Sequence, residues 1–320
     1  MTDNINIDLE DVVQSCNLYD GDSQAVISSV DALKSKYTED ELVLIYNYML
    51  SKSQNSDVLM HLIRCCDEYR KPSTLEYLTD ILLLKNVSGD ADEELKEKFL
   101  NVRIMCAKAI GNMKNTSVVT SLLYCLNNKD ENYRVRLACA DALGRIGDKY
   151  AVAPLIEVIK DENEKSIYLK EGATVALGLL GDVRALDPLV SIIETKQGLM
   201  DKFSFLKERA IEALNKIGLG GNDRIFKALK SSLSDESSQV RIDAIEALMN
   251  SEHSQAFDTI KYVLENDNDE EVKKNALIAL YNMSDKKILD EVISSSKYSD
   301  TLKMFAVEMI DEYESGENYD

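Results

Sequence analysis

The stretch Val102-Arg103-Ile104-Met105-Cys106-Ala107-Lys108-Ala109-Ile110-Gly111 returns 33 residues later as Val135-Arg136-Leu137-Ala138-Cys139-Ala140-Asp141-Ala142-Leu143-Gly144. The same frame recurs from Leu169, Leu206, Val240, Val272 and Leu302, with successive offsets of 33, 34, 37, 34, 32 and 30 residues. A chain that repeats itself at such a period folds as an array of similar units, because one unit alone cannot bury its apolar face and must stack on the next.

The frame itself is helical. With the aliphatic residue numbered zero, position four is Cys106, Cys139, Ala173, Ala210, Ala244, Ala276 and Ala306. Position seven is Ala109, Ala142, Ala176, Ala213, Ala247, Ala279 and Met309, and position eight is Ile110, Leu143, Leu177, Leu214, Leu248, Leu280 and Ile310. Spacings of 0, 4, 7 and 8 lie on one face of an α-helix. Small residues at four and seven let neighbouring helices approach closely, and bulk there overpacks the contact. Position one is basic every time: Arg103, Arg136, Lys170, Lys207, Arg241, Lys273 and Lys303. Position minus five is acidic in six frames, as Glu97, Asp130, Glu164, Asp201, Asp235 and Asp267, and is Lys297 in the seventh. A carboxylate in the turn before each helix can cap that helix or pair with a base of its own or a neighbouring repeat. Such charges read as structural.

A partner helix is expected between successive frames, over Ser117–Asn127, Ala151–Lys160, Ala185–Glu194, Arg224–Leu233, Gln255–Leu264 and Lys286–Ser294, and no strand is expected. Gly147-Asp148 and Gly181-Asp182 suit a left-handed helix end followed by a capped start. Pro154 and Pro188 suit a first helical turn. The N-terminal third is degenerate. Val58, Leu62, Cys65 and Cys66 fit the frame, as do Ala25, Ser29, Ala32 and Leu33, with Glu41–Leu50 and Leu75–Leu84 as partner helices. Asn86–Glu94 reads as an exposed acidic loop, Gln197–Lys202 and Gly218–Asn222 as smaller breaks, and Asp311–Asp320 as a solubilising tail. The expected organisation is a degenerate helical cap over 1–95, a regular array over 96–311 and an acidic tail over 312–320.

The run from Tyr133 to Asp148, Tyr-Arg-Val-Arg-Leu-Ala-Cys-Ala-Asp-Ala-Leu-Gly-Arg-Ile-Gly-Asp, resembles a HEAT repeat. It is closest to the short form named after the phycobiliprotein lyases, and the resemblance runs from about Glu97 to Asp311. It implies an all-α chain, a right-handed α-solenoid of about eight to nine stacked helix pairs whose second helices line the concave side. The family includes binding scaffolds, bilin lyases, deoxyhypusine hydroxylase and alkylpurine DNA glycosylases, and fold alone does not choose among these.

Composition narrows the choice. The 57 acidic and 37 basic residues give a net charge of −20. That argues against general nucleic-acid binding and against docking on anionic lipid. No apolar run is long enough to span a membrane, and the N-terminus lacks the basic and apolar regions of a secretory signal, so a cytoplasmic protein is expected. The six cysteines form no C-x-x-C pair and read as reduced core residues, and neither metal nor cofactor is expected. A hydroxylase of the family would need repeated His-Glu pairs, whereas the histidines here are His61 and His253. A glycosylase would need tryptophan and a basic groove, and this chain has no tryptophan. Phosphate-loop and G-x-S-x-G signatures are absent. No catalytic residue is assigned. The expectation is a non-enzymatic protein-interaction scaffold, with a bilin lyase-type or chaperone-like accessory subunit acting on a chromophorylated protein as the alternative.

The helical wheel indicates where a partner would sit. Positions two, six and nine point away from the core and, if the family geometry holds, line the concave surface. Apolar residues occur there where a solvated helix should be polar: Ile104, Leu137, Val175, Ile242, Met249, Ile278, Tyr281 and Met304. Acids are interspersed among them, as Asp141, Glu171, Glu208, Glu212, Glu246 and Glu308. These residues predict a groove for a basic or amphipathic protein segment. The competing expectation is tight curvature that buries the apolar members against each other. A monomer is expected from charge repulsion.

Overall fold

The repeated frame occupies every second helix of a helical chain. The computed structural model describes residues 7–19, 21–85, 93–195, 204–284 and 287–315. Most of the acidic loop (86–92), the break Gln197–Lys202 with Asp201, Lys286 and the last five residues of the tail lie outside them. Among the described residues there are nineteen α-helices and no strand. Two compact units divide the chain, Met1–Ala176 and Leu177–Asp320.

The first unit runs through α1 (Leu9–Ser15), α2 (Ser23–Leu33), α3 (Glu39–Lys52), α4 (Ser56–Tyr69), α5 (Leu75–Leu82), α6 (Glu93–Lys98), α7 (Leu100–Met113), α8 (Val119–Asn127), α9 (Tyr133–Ile146) and α10 (Val152–Lys160). The boundary between the units falls within α11 (Ile167–Leu180). The second unit continues with α12 (Leu186–Glu194), α13 (Ser204–Ile217), α14 (Asp223–Ser232), α15 (Ser238–Met249), α16 (Ala256–Asn266), α17 (Glu270–Ser284), α18 (Lys287–Ser294) and α19 (Asp300–Ser315). With α6 set aside as an extra turn ahead of α7, these make nine helix pairs, at the upper end of the expected number. Like helices stack on like. In the first unit α2 packs on α4, α4 on α7 and α7 on α9, while in the second α13 packs on α15, α15 on α17 and α17 on α19. The chain is an all-α, solenoid-type repeat fold.

The core follows the frame. Every residue at positions zero, four, seven and eight of the seven regular frames is buried, except Ile310, which is half-buried. The small residues act as the spacing predicts. A Cβ built on Gly111 would stand 2.8 Å from Ala142 Cα, and one on Gly178 would stand 2.9 Å from Ala213 Cα. In each case a position-nine glycine lies on the position-seven alanine of the next helix, so backbones touch with no side chain between them. Gly147 (φ 83°) and Gly181 (φ 62°) end α9 and α11 in the left-handed region, where glycine carries no Cβ penalty. Asp148 and Asp182 then accept the backbone N–H of Tyr150 at 2.9 Å and of Arg184 at 3.0 Å, starting the next short 3₁₀ turn. Pro154 and Pro188 sit in the first turns of α10 and α12, as expected.

One register is corrected. In α2 the buried residues are Val26, Val30 and Leu33, whereas Ala25 and Ala32 are exposed. The small-residue frame over Ala25, Ser29 and Ala32 is displaced by one position, because branched valines one residue on offer more apolar area to the core. The helix α1 was not foreseen; it is short, capped by Asp8, and buries Val12 and Val13.

Candidate functional site

The basic residues at position one are built into the fold. The Arg136 side chain is 7% exposed; its Nε donates to the Leu126 carbonyl at 2.9 Å and its Nη1 to Glu164 Oε2 at 2.6 Å. Arg103 does the same with the Leu82 carbonyl at 2.8 Å and with Glu131 Oε1 at 3.0 Å. Lys207 pairs with Asp235 at 2.9 Å and Arg241 with Asp267 at 2.9 Å. Each base therefore meets the carboxylate that precedes the next frame helix, as the neighbouring-repeat reading expects. The carboxylate also holds its own turn: Glu164 accepts from Ser166 N–H, Asp235 from Ser237 N–H and Asp267 from Asp269 N–H, each within 3.0 Å. Four members of the series depart from it, one being Lys273, which pairs with Glu270 of its own helix at 3.6 Å. Glu131, not Asp130, meets Arg103; Glu97 is exposed on α6; and Lys170 donates to the Asp161 carbonyl at 2.7 Å. Burial holds the Lys170 ammonium below its ordinary range. These groups are spent on structure.

The outward positions behave differently. Five of the predicted groove residues, Ile104, Leu137, Asp141, Glu171 and Val175, line one cavity of about 740 Å³ in the first unit, formed on α7, α9 and α11. Ile104, Leu137 and Val175 are half-buried, so they are neither packed away nor fully solvated. Gly172 makes room for the Leu137 side chain, which would meet a Cβ placed there. Six lining residues fall outside the predicted set: Lys108, Arg134, Ala138, Gly172 and the exposed rings Tyr133 (41%) and Tyr168 (57%). Tyr133 and Tyr168 stand just before the frame, where no periodicity marks them. Asp141 is held by Arg145 at 3.1 Å.

Three more predicted residues, Glu208, Glu212 and Glu246, line a separate cavity of about 380 Å³ in the second unit, on α13 and α15, together with Arg209, Asn215, Gln239 and Asp243. Burial, and then the neighbouring Asp243, push the Glu208 carboxyl up. Burial likewise pushes Asp243 up, although Gln239 Nε2 donates to it at 2.7 Å. Lys216 and Arg209 hold Glu212 below the ordinary carboxylate range, at 2.7 and 2.6 Å. The remaining four, Ile242, Met249, Ile278 and Tyr281, are half-buried on α15 and α17 and line neither cavity.

The histidines each meet a carboxylate 30 residues away: His61 Nε2 lies 3.0 Å from Asp31 Oδ1, and His253 Nε2 lies 3.1 Å from Asp223 Oδ1. His253 also stacks on Phe226 at 3.7 Å. His61 Nε2 has a second neighbour, Cys65 Sγ at 3.6 Å, and burial pushes that thiol up to about 11. The described cysteines are all free and buried. Among the described residues no helix is long and apolar enough to cross a membrane.

A family model for HEAT repeats matches residues 93–167, 128–215, 197–281 and 226–307. Among solved structures, the chain is similar to YibA of Escherichia coli at 16% identity, covering 92% of this chain and 97% of that one with a TM-score of 0.51. It is similar to the complex of CpcE and CpcF of phycocyanin lyase from Nostoc at 20% identity, over 75% of this chain and 87% of that one, with a TM-score of 0.44. An archaeal HEAT-like repeats protein from Thermococcus onnurineus matches at 18% identity, over 72% of this chain and all (100%) of that one, also with a TM-score of 0.44. No curated protein matches the chain by sequence.

Proposed function

We propose that this chain, which belongs to the HEAT-repeat family, is a non-enzymatic scaffold that captures a basic, amphipathic protein segment. The observation that carries the proposal is the cavity on α7, α9 and α11. Its floor of Ile104, Leu137 and Val175 stays half-open, and two exposed tyrosines flank it. Amphipathic tyrosine edges around an aliphatic floor suit an apolar helix face. The second-unit cavity supports the charge preference. It sets four carboxylates, Glu208, Glu212, Asp243 and Glu246, against the guanidinium of Arg209 and the Lys216 ammonium that pairs with Glu212, and two of the carboxyls, those of Glu208 and Asp243, are raised by burial. A lysine or arginine arriving there would relieve crowded carboxylates. The net charge of −20 draws cationic segments toward the whole chain and disfavours self-association, which supports a monomer. Buried, free cysteines fit a reducing cytoplasm.

A labelled, lysine-rich amphipathic helical peptide tests the reading against a glutamate-rich peptide of the same apolar face. The lysine peptide should bind at least about tenfold tighter at low salt and lose that margin as salt rises. Changing Ile104, Leu137 and Val175 together to serine should weaken its binding by about tenfold while the helical circular dichroism persists. Equal affinity for both peptides, or unchanged affinity in the triple variant, refutes the proposal.

A further inference from the structure

We propose that Asp31, His61 and Cys65 bind one zinc-type divalent cation on the face where α2 meets α4. The sequence supplies no zinc-finger spacing, because the ligands come from two helices. His61 and Cys65 are four residues apart on α4 and so share one face, one turn apart. Asp31 reaches them from α2, across the stacking contact between the two helices.

The geometry suits a small cation. The carboxylate oxygen, imidazole Nε2 and thiol Sγ all lie within 4.8 Å of one another. Zinc bonds of about 2.0–2.3 Å place tetrahedral ligand atoms about 3.3–3.8 Å apart. His61 Nε2 and Cys65 Sγ already stand 3.6 Å apart, and the 3.0 Å between Asp31 and His61 needs to open by only a few tenths of an ångström. One nitrogen, one oxygen and one sulfur make a donor set of borderline softness, which selects zinc over magnesium or calcium. The site is graded from inside to outside: Cys65 is buried, the His61 side chain is 17% exposed and that of Asp31 is 53% exposed. A cation can enter past the carboxylate and keep water in the fourth position. Nearby, Lys34 at the end of α2 pairs with Glu68 of α4 at 2.8 Å.

On binding, the Cys65 S–H bond breaks, the proton leaves to solvent, and the sulfur lone pair forms the bond to the metal without any redox change. The pair His253–Asp223 has the same 30-residue offset, but among the described residues Asp31, His61 and Cys65 make the one such three-ligand group. His253 therefore serves as an internal control.

The test uses the full chain, reduced and stripped of metal, titrated with cobalt(II) and then with zinc. One equivalent of cobalt should produce a thiolate-to-cobalt charge-transfer band and the visible bands of tetrahedral cobalt, both bleached by zinc. Zinc should also raise the melting temperature by mass action. Cys65→Ser should abolish the charge-transfer band. His61→Gln and Asp31→Asn should weaken cobalt binding by about tenfold or more, and His253→Gln should change nothing. Asp31 is exposed, so its variant keeps the test decisive if the Cys65 variant fails to fold. A folded chain with no charge-transfer band at saturating cobalt overturns the proposal. So does a band that survives Cys65→Ser, or cobalt affinity that is unchanged in Asp31→Asn.

Discussion

The pair Arg136–Glu164 offers the sharpest test of how one repeat is locked to the next. Both side chains are nearly dry, 7% and 9% exposed. Arg136→Met keeps the aliphatic stem in its slot but leaves the Glu164 carboxylate desolvated and the Leu126 carbonyl without its donor. That carbonyl belongs to the last turn of α8, where no intrahelical partner exists. Leaving a buried charge uncompensated should cost about 3–5 kcal/mol. Glu164→Gln retains an oxygen for Ser166 N–H and strands the guanidinium instead, at about 2–3 kcal/mol. Independent sites would add to about 5–8 kcal/mol. The double variant contains neither charge, keeps the Ser166 bond, and loses chiefly the Leu126 contact, so it should sit only about 2–3 kcal/mol below the parent. The coupling is therefore about 3–5 kcal/mol. Urea unfolding, followed by far-ultraviolet circular dichroism and by tyrosine fluorescence in this tryptophan-free chain, measures each corner of the cycle. Additivity to within about 0.5 kcal/mol would refute the reasoning. Breaking the exposed Lys34–Glu68 pair should change stability by less than about 1 kcal/mol and calibrates the assay.

Further outcomes follow from other contacts. Gly111→Ala should lower stability by about 1–3 kcal/mol in the same unfolding assay, despite alanine's better helix propensity, because the new Cβ meets the backbone of Ala142. Gly172→Ala meets only the movable end of Leu137 and should be near neutral; equal losses for both glycines would remove the close-approach explanation. Asp243→Asn should raise the melting temperature at neutral pH. Because burial raises this carboxyl in the fold, the folded state binds more protons than the unfolded state above the ordinary aspartate range, and stability falls as pH rises through that window. The advantage of the asparagine should vanish in acid below about pH 4, and an advantage that persists there contradicts the assignment.

The helical phase, the buried face and the small-residue seam were legible in the sequence, because all three depend on spacing within one helix. Val135, Cys139, Ala142 and Leu143 declare their shared face in nine residues, and the structure buries all four. Position one was legible as a recurrent base, with an acid before six of the seven frame helices as a candidate partner, but pairing within a repeat and pairing between repeats were equally open. Where local signals thinned, the reading slipped: α2 holds no basic residue at position one, and its register moved by one to bury Val26 and Val30. What only tertiary structure decided was which distant atoms meet. Arg103 takes Glu131 instead of Asp130, and Lys170 takes a carbonyl, because loop length and helix stacking set reach across a repeat, and neither leaves a period in the chain. The outward residues divide in the same way. Five gather in one cavity with two unforeseen tyrosines, and three line an acidic one. Asp31, His61 and Cys65 converge only because two helices 30 residues apart in sequence lie side by side. Periodicity reports what a helix does to itself; proximity between helices is decided by packing, which the linear order of residues does not encode locally.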